Sequence, residues 1–205
     1  SVQTVVHGEP LAAWLSALVP GAAIATVAHW REVPPADPER IDRWRRRLGA
    51  GSNCALIGSF GHIGAAHRLD LALEALGGLA GDQDFRVVVA GSVDAGLDLE
   101  TAAARAGIAD RVHWAGRVDA AEFGALMRAS DIALNLRYPT ARASSGTMQQ
   151  LLQLGKPIVI HDLIHLADVP PDAIARVPTG AREQELESLR AVIAGWLADP
   201  ASRDA

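Results

Sequence analysis

The sequence contains few of the residues that mark several large classes of protein. A single cysteine, Cys54, excludes an internal disulfide among the 205 residues and favours a reducing, cytoplasmic compartment. Aromatic residues make up only 4% of the chain, too few for the stacking surfaces that bind single-stranded nucleic acid. No apolar run approaches the roughly 18 residues of a membrane-spanning helix, and we expect no secretory leader before the first predicted strand.

Positive charge is also scarce, since the chain has one lysine, Lys156, and a net charge of −5. A mildly acidic protein is a poor candidate for general nucleic-acid binding. Apolar residues make up 49% and charged residues 21%, the composition of a folded domain with a substantial core. We therefore expect one ordinary domain, or one domain with part of another.

Short apolar segments alternate with amphipathic ones from residue 53 onward. Strands that are apolar on both faces and alternate with helices indicate a parallel sheet covered on both sides. The predicted fold is therefore α/β, a Rossmann-like parallel sheet with helices on both faces. The predicted strands are Cys54–Ile57, Phe85–Ala90, Arg111–Ala115, Asp131–Leu136, Pro157–Ile160 and Ile174–Val177, and the predicted helices are Leu69–Leu79, Leu99–Ala106, Ala120–Ala129, Ser145–Leu154 and Arg182–Leu197.

The first part of the chain is separated from this pattern by a proline-rich stretch at residues 32–38. Before it we predict a strand, a helix and a second strand at Val2–His7, Glu9–Leu18 and Ile24–His29. After it, a helix over Arg40–Leu48 carries five arginines around Trp44. A basic helix with an aromatic residue can make weak peripheral contact with anionic lipid, and the alternative is a solvated helix face.

Ligands of such sheets bind beyond the carboxyl ends of the strands, so function is expected in the loops there. The loop after Ile57 is rich in glycine and ends in basic residues, in the order Gly58-Ser-Phe-Gly61-His-Ile-Gly64-Ala-Ala-His67-Arg68. Glycine allows close backbone approach, amides at a helix start favour phosphate, and Arg68 adds positive charge. The spacing is not that of the dinucleotide fingerprint, and a tight turn without a ligand is the alternative.

The loop after Leu136 is long and polar and leads into a predicted helix at Ser144, Ser145, Gly146 and Thr147. The hydroxyl groups can cap the helix or donate to an anion, and Gly146 permits close approach. An ordinary capped helix start is the alternative. Because both loops follow strands of one parallel sheet, we expect them to lie at the same edge and to hold a diphosphate together.

Other chemistries find little support in the sequence. His161 and His165 have the spacing of a metal motif, but His161 ends a predicted strand, and a zinc helix needs both imidazoles on one helical face. We expect no metal. No paired carboxylates stand in the predicted ligand loops, so glycoside hydrolysis is not supported either.

An ordered set of segments resembles a known family: IGSFGHIGAAHRLDLALEAL, FRVVVAG, RVHWAGRV, SDIALNLRYPT and SSGTMQQLLQLGKPIVIHD. Together they cover roughly residues 53–177 and resemble the carboxyl-terminal, donor-binding domain of glycosyltransferase family 4, which has the two-domain GT-B architecture. The earlier stretch VVHGEPLAAWLSALVPGAAIATVAHW resembles the closing strand and helix of the amino-terminal domain with its linker.

The resemblance implies three parts. Residues 1–31 would end an amino-terminal domain and provide the linker, residues 32–180 would form the donor-binding domain, and residues 181–205 would form a carboxyl-terminal helix. The partner would be the missing amino-terminal acceptor domain. The substrate would be a nucleotide-diphosphate sugar whose hexosyl group passes to an acceptor in polysaccharide biosynthesis, without a metal or other cofactor. We expect this half alone to bind nucleotide without turnover.

The resemblance also assigns residues. The diphosphate would be bound by Gly61, His67, Arg68, Ser144, Ser145, Gly146 and Thr147, and the base and ribose by Gly91, Val118 and Gln150. Arg68 is the candidate catalytic residue, because it would stabilise the charge that develops on the leaving diphosphate.

Two positions depart from the family pattern. His67 stands where lysine is usual, and histidine is only partly charged near neutrality. The family often carries two glutamates before the Gly-Lys-Pro turn, where this chain has Arg142 or Ala143, depending on the alignment, and Gln150. A non-catalytic nucleotide-sugar-binding module with a degenerate site is therefore an alternative, and a sugar-nucleotide epimerase is a weaker one.

Overall fold

The computed structural model describes residues 3–139, 145–163, 166–167, 169–171 and 174–199. Its strands are β1 (Gln3–Val6), β2 (Ala23–Thr26), β3 (Ala55–Ile63), β4 (Phe85–Val93), β5 (Val112–Gly116), β6 (Ile132–Leu134), β7 (Ile158–His161) and β8 (Ile174–Val177). Its helices are α1 (Glu9–Leu18), α2 (Pro38–Leu48), α3 (Leu69–Gly77), α4 (Leu99–Arg105), α5 (Ala120–Ala129), α6 (Gly146–Gln153) and α7 (Arg182–Ala198). No described helix is long and apolar enough to cross a membrane.

Six strands form one parallel sheet in the order β5-β4-β3-β6-β7-β8. This confirms the predicted Rossmann-like fold. The order reverses between β3 and β6, because the chain first builds the sheet outward through β4 and β5 and then returns to the other side of β3. Such a switch point is where open parallel sheets bind their ligands.

The sheet has a hydrophobic core on each face, as the apolar strands predict. Alternate residues of β4 point to opposite sides, with Val87 and Val89 in the core beneath α3, α4 and α7. Val88 and Ala90 lie in the core beneath α2, α5 and α6. These four residues are at most 1% exposed, so the strand is buried on both faces and is locked in register by packing.

The amino-terminal elements form their own small sheet, in which β1 and β2 pair in parallel. α1, which connects them, has no buried residue. Several large apolar side chains of this unit are exposed, including Val5, Leu18 and Trp30. The assignment of residues 1–31 to a separate domain remains a prediction.

The arginine-rich helix α2 packs through its tryptophan. Trp44 is buried, and its indole nitrogen donates to Glu122 of α5. The same carboxylate accepts from Arg40 at 2.6 Å and from Arg43 at 3.0 Å. The aromatic residue therefore belongs to the core, and the basic face is partly neutralised by α5. Peripheral membrane contact remains a prediction.

Some element boundaries match the prediction and two strands are longer. The prediction is right to the residue for α1, α5 and β8. β3 does not end before Gly58 but continues to Ile63, so the loop predicted to start at Gly58 starts after residue 63. Likewise β4 continues through Gly91 to Val93. The prediction ends these strands before Gly58 and Gly91, whereas both glycines lie inside paired strands.

Candidate functional site

The loops after β3 and β6 meet at the carboxyl edge of the sheet. β3 and β6 are paired neighbours, but the chain leaves β3 toward α3 on one face and leaves β6 toward α6 on the other. In the loops themselves, the amide of Tyr138 donates to the carbonyl oxygen of Ala66 at 2.7 Å. The end of β3 also lies against the start of α6, since a β-carbon placed on Gly61 would be 3.1 Å from Thr147 Oγ1. The structure therefore brings together the two segments from which the sequence predicted a diphosphate site.

Two glycines in this region are required by the backbone itself. Gly61 and Gly91 are paired across β3 and β4, and a β-carbon on Gly91 would lie 1.7 Å from the carbonyl oxygen of Gly61. Gly61 has φ 99°, a conformation that residues with side chains rarely adopt. The backbone therefore explains why glycine occurs at these two positions, whether or not a ligand binds there.

His67 ends a single 3₁₀ turn, Ala65–His67, between β3 and α3. Its Nδ1 accepts from the amide of Gly64 at 3.0 Å, and its Nε2 is buried without a partner among the described residues. Burial lowers the pKa of His67, and the positive charge of Arg137 lowers it further. The imidazole is therefore neutral near neutral pH and contributes a hydrogen-bonding group rather than a fixed charge.

Arg68 follows directly, with the left-handed φ of 49° at the start of α3. Its Nη2 donates to Glu185 Oε2 at 2.7 Å, where Glu185 is fully buried and the arginine side chain is 25% exposed. Its Nε is buried and has no partner within the described part of the chain. The guanidinium is thus anchored by one carboxylate while some of its donors stay unused.

Arg137 was not among the predicted site residues. It follows β6, and its backbone amide donates to His161 Nδ1 at 2.9 Å. Its Nη2 donates to Ser145 Oγ at 3.2 Å, while its Nε is buried without a partner in the described ranges. Burial lowers its pKa, and no carboxylate of the described residues pairs with it.

Arg137 is a residue of the second loop and lies near the first. Its charge acts on His67 in the first loop, and its hydrogen bond reaches Ser145 in the second. The side chain is partly buried, and removing part of a guanidinium from water without an acidic partner costs free energy unless an anion compensates it. In the sequence, this role of Arg137 is indicated by a charged residue placed directly after an apolar strand.

The second loop forms a capped helix start. Ser145 Oγ accepts from the amide of Met148 at 3.2 Å, which is the capping arrangement foreseen for this serine. The segment before α2 lies against the same helix: a β-carbon on Gly146 would lie 2.9 Å from Arg31 Cδ. Gln150, predicted to contact ribose, donates instead to the carbonyl oxygen of Glu32 at 2.6 Å. Ser144, Arg142 and Ala143 lie outside the described residues.

The two residues predicted to contact the base do not share a cavity. Gly91 lines a cavity of about 300 Å³ beyond the ends of β4 and β5, together with Asp94, Leu99 and Trp114. Val118 lines a different cavity of about 360 Å³ between α2, α5 and β5. The first cavity lies on the strand whose glycine pairs with Gly61, so it adjoins the predicted diphosphate site.

His161 belongs to a buried pair rather than to a cluster of metal ligands. Its Nε2 lies 2.5 Å from Glu185 Oε1, and both side chains are fully buried. Burial lowers the pKa of His161, although hydrogen bonding to Glu185 opposes the shift. Within the part of the chain that the structure describes, no three potential ligands come together to hold a metal ion. His165 lies outside the described residues.

Comparison with known proteins gives one family and several similar folds. A family model described as glycosyl transferases group 1 matches residues 52–197. No curated protein matches the chain. Among solved structures, HepE from Anabaena in complex with UDP superposes with a TM-score of 0.78 at 17% identity, covering 98% of this chain and 55% of HepE.

Two further structures show the same fold. WaaG, a glycosyltransferase involved in lipopolysaccharide biosynthesis, gives a TM-score of 0.73 at 18% identity and covers 98% of this chain and 55% of WaaG. The C-terminal domain of a group 1 glycosyl transferase, LpcC from Francisella tularensis, gives 0.64 at 18% identity and covers 84% of this chain and 89% of that domain. The chain thus spans about half the length of HepE and WaaG.

Proposed function

Because this chain belongs to the glycosyl transferases group 1, we propose that it is the donor-binding half of a two-domain glycosyltransferase of the family 4 type. In this proposal the chain binds a nucleotide-diphosphate sugar, and residues 1–31 are the end of the preceding acceptor domain with its linker. HepE, which shares the fold, has been solved with UDP and with UDP-glucose. The hexosyl acceptor would be positioned by the other domain.

The observation that carries this proposal is the convergence of two loops and two arginines at the switch point. Gly61 at the end of β3 lies in contact with Thr147 at the start of α6, and Arg137 is hydrogen-bonded to Ser145 while its charge acts on His67. A diphosphate supplies the negative charge that would compensate the partly buried guanidinium of Arg137, which has no acidic partner among the described residues. Arg68 adds a second cation at the same edge.

The chemistry follows from where charge develops in the reaction. As the bond between the sugar and the diphosphate breaks, negative charge grows on the leaving diphosphate. Arg68 and Arg137 would stabilise it through charge-assisted hydrogen bonds that strengthen in the transition state. The Ser145 and Thr147 hydroxyls at the start of α6 would add neutral donors, so the scheme requires no metal.

The base would occupy the cavity beside Gly91. Its volume of about 300 Å³ is at the lower end of the range for small-molecule pockets. Trp114 and Leu99 provide apolar surface for a ring, and Asp94 or Asp98 can accept hydrogen bonds from base or ribose. This assignment favours Gly91 over Val118 as the residue near the base.

A second candidate function is nucleotide-sugar binding without transfer. His67 is neutral where lysine is usual, and Gln150 is held by the linker rather than presented to a ligand. Both observations favour a site that binds the diphosphate but lacks contacts to the sugar. Transfer of sugar by the complete protein would exclude this candidate.

Isothermal titration calorimetry with UDP, GDP and ADP tests donor binding directly. We expect at least one of the three to bind, and Arg68→Ala to weaken that binding roughly tenfold or more, as loss of a charge-assisted hydrogen bond does. Thermal denaturation of the variant checks that it folds, since the change leaves Glu185 without its arginine. Absence of binding by all three nucleotides contradicts the proposal.

A further inference from the structure

One buried carboxylate at the carboxyl edge of the sheet contacts two other segments directly and a third through a histidine. Glu185, near the start of α7, and His161, the last residue of β7, are both 0% exposed. Glu185 Oε1 lies 2.5 Å from His161 Nε2, and Oε2 lies 2.7 Å from Arg68 Nη2. The other ring nitrogen of His161 accepts from the amide of Arg137 at 2.9 Å. One carboxylate thus contacts the Arg68 guanidinium directly and, through an imidazole, the backbone amide of Arg137.

The hydrogen-bond partners fix the protonation of the pair. Because His161 Nδ1 accepts from a peptide N–H, the ring proton of the neutral imidazole is on Nε2 and is donated to Glu185. Burial lowers the pKa of His161, which favours this neutral form. The charge of Glu185 is therefore balanced by Arg68 alone, and Arg137 keeps a net positive charge for a ligand.

Stability alone does not account for this arrangement. The free-energy cost of removing a carboxylate and a guanidinium from water offsets most of their attraction. Apolar side chains of similar volume would therefore stabilise the fold as well or better. Leu186 and Leu189, next to Glu185 on α7, pack in that way in the core. What the buried carboxylate adds is a fixed position for the Arg68 guanidinium, whose Nε remains unpartnered among the described residues.

We propose that Glu185 and His161 are positioning residues for diphosphate binding. Glu185 orients the Arg68 guanidinium, and His161 fixes the backbone from which Arg137 projects. Neither residue touches the ligand, and each acts through an arginine. This inference rests on the proposed function, in which Arg68 and Arg137 bind the diphosphate of a nucleotide.

The test is a double-mutant cycle on nucleotide affinity. Glu185→Gln keeps the size of the side chain but removes the charge that holds Arg68. We expect it to weaken binding of the tightest of UDP, GDP and ADP by about tenfold, the effect of one charge-assisted hydrogen bond. In an Arg68→Ala background the same substitution should change the affinity by less than about twofold, because its effect passes through Arg68.

Glu187→Gln is the matched control, since it removes the same charge from an exposed position of α7 and should leave the affinity unchanged. If the Glu185→Gln protein does not fold, Glu185→Asp replaces it. That variant keeps the charge but withdraws the carboxylate by one methylene, and it should weaken binding with the same dependence on Arg68.

Three results would overturn the inference while leaving the proposed function intact. They are unchanged affinity in the Glu185 variant, tighter binding, and equal weakening with and without Arg68. Tighter binding would mean that Glu185 competes with the diphosphate for Arg68. If the wild-type protein binds none of the three nucleotides, the proposed function fails and this inference fails with it.

Discussion

The guanidinium of Arg137 donates a hydrogen bond to the hydroxyl of Ser145, 3.2 Å away. A cation that follows β6 is thereby held at the first turn of α6, where helix amides also favour negative charge. No carboxylate of the described residues neutralises it. We therefore expect the phosphate groups of a nucleotide to bind beside this pair.

Replacing Arg137 should reduce nucleotide affinity more than it reduces stability. We expect Arg137→Ala to weaken diphosphate binding roughly ten- to hundredfold, because it removes a charge-assisted hydrogen bond to the ligand. Titration calorimetry measures the effect. Arg105→Ala, which removes an exposed arginine of α4, is the control and should bind as the wild type does. Equal affinities for the two variants would exclude Arg137 from the site.

Adding a methyl group at Gly61 should damage both the fold and the site. Gly61 has φ 99°, and a β-carbon there would be 3.1 Å from Thr147 Oγ1. We expect Gly61→Ala to lower the free energy of unfolding by about 1–3 kcal/mol and to weaken nucleotide binding by displacing Thr147. Chemical denaturation and calorimetry measure the two effects.

Gly96→Ala is the matched control for Gly61→Ala. Gly96 has no atom within 4 Å of the position that a β-carbon would take, and its φ is not in the left-handed range. The stability of this variant should equal that of the wild type within about 0.5 kcal/mol. A Gly61→Ala protein as stable and as tightly binding as the Gly96→Ala protein would contradict the proposed contact between the loops.

Acid should destabilise the protein partly through His67. Burial lowers the pKa of His67 in the folded state, so below about pH 6.5, the pKa of an unfolded histidine, the unfolded chain binds more protons. The free energy of unfolding should therefore be greatest above that pH and fall as the pH decreases. Urea denaturation between about pH 5 and about pH 8 measures this dependence.

His67→Gln isolates the contribution of this histidine, because other buried histidines such as His161 act in the same direction. The loss of stability on acidification should be smaller in the variant than in the wild type. A variant that loses as much stability as the wild type would show that His67 does not carry this pH dependence.

Glu122 should be a major source of stability for the packing of α2 on α5. Its carboxylate accepts from Trp44, Arg40 and Arg43. We expect Glu122→Ala to lower the free energy of unfolding by about 1–3 kcal/mol, because the buried indole N–H loses its acceptor. Glu187→Ala, at an exposed position, should cost less than about 0.5 kcal/mol. Thermal or urea denaturation of both variants decides the matter.

The fold was predictable because its signals are local. Apolar strands such as β4 and the helical spacing in α5 indicated the alternating elements and hence the parallel sheet. Glycine is the source of error, since the prediction ends two strands at Gly58 and Gly91 and places Gly61 in a loop. Pairing of β3 with β4 overrides that local preference, and close backbone approach at Gly91 requires glycine within the strand.

The candidate site was only partly predictable, because some of its contacts join residues far apart in the chain. The two loops could be placed at one edge from the order of strands. Glu185 lies 117 positions from Arg68, on a helix with no motif to connect them. Arg137 is recognisable in the sequence as a residue of the second loop, but only the structure shows that it is partly buried and has no acidic partner among the described residues.

The most direct test of the central claim is a crystal structure with the tightest-binding of UDP, GDP and ADP. We predict that the phosphate groups lie against the first turn of α6, within hydrogen-bond distance of the Arg137 guanidinium. Phosphates bound instead in the cleft at the opposite edge of the sheet, lined by Arg45, Asp131 and Lys156, would contradict the account.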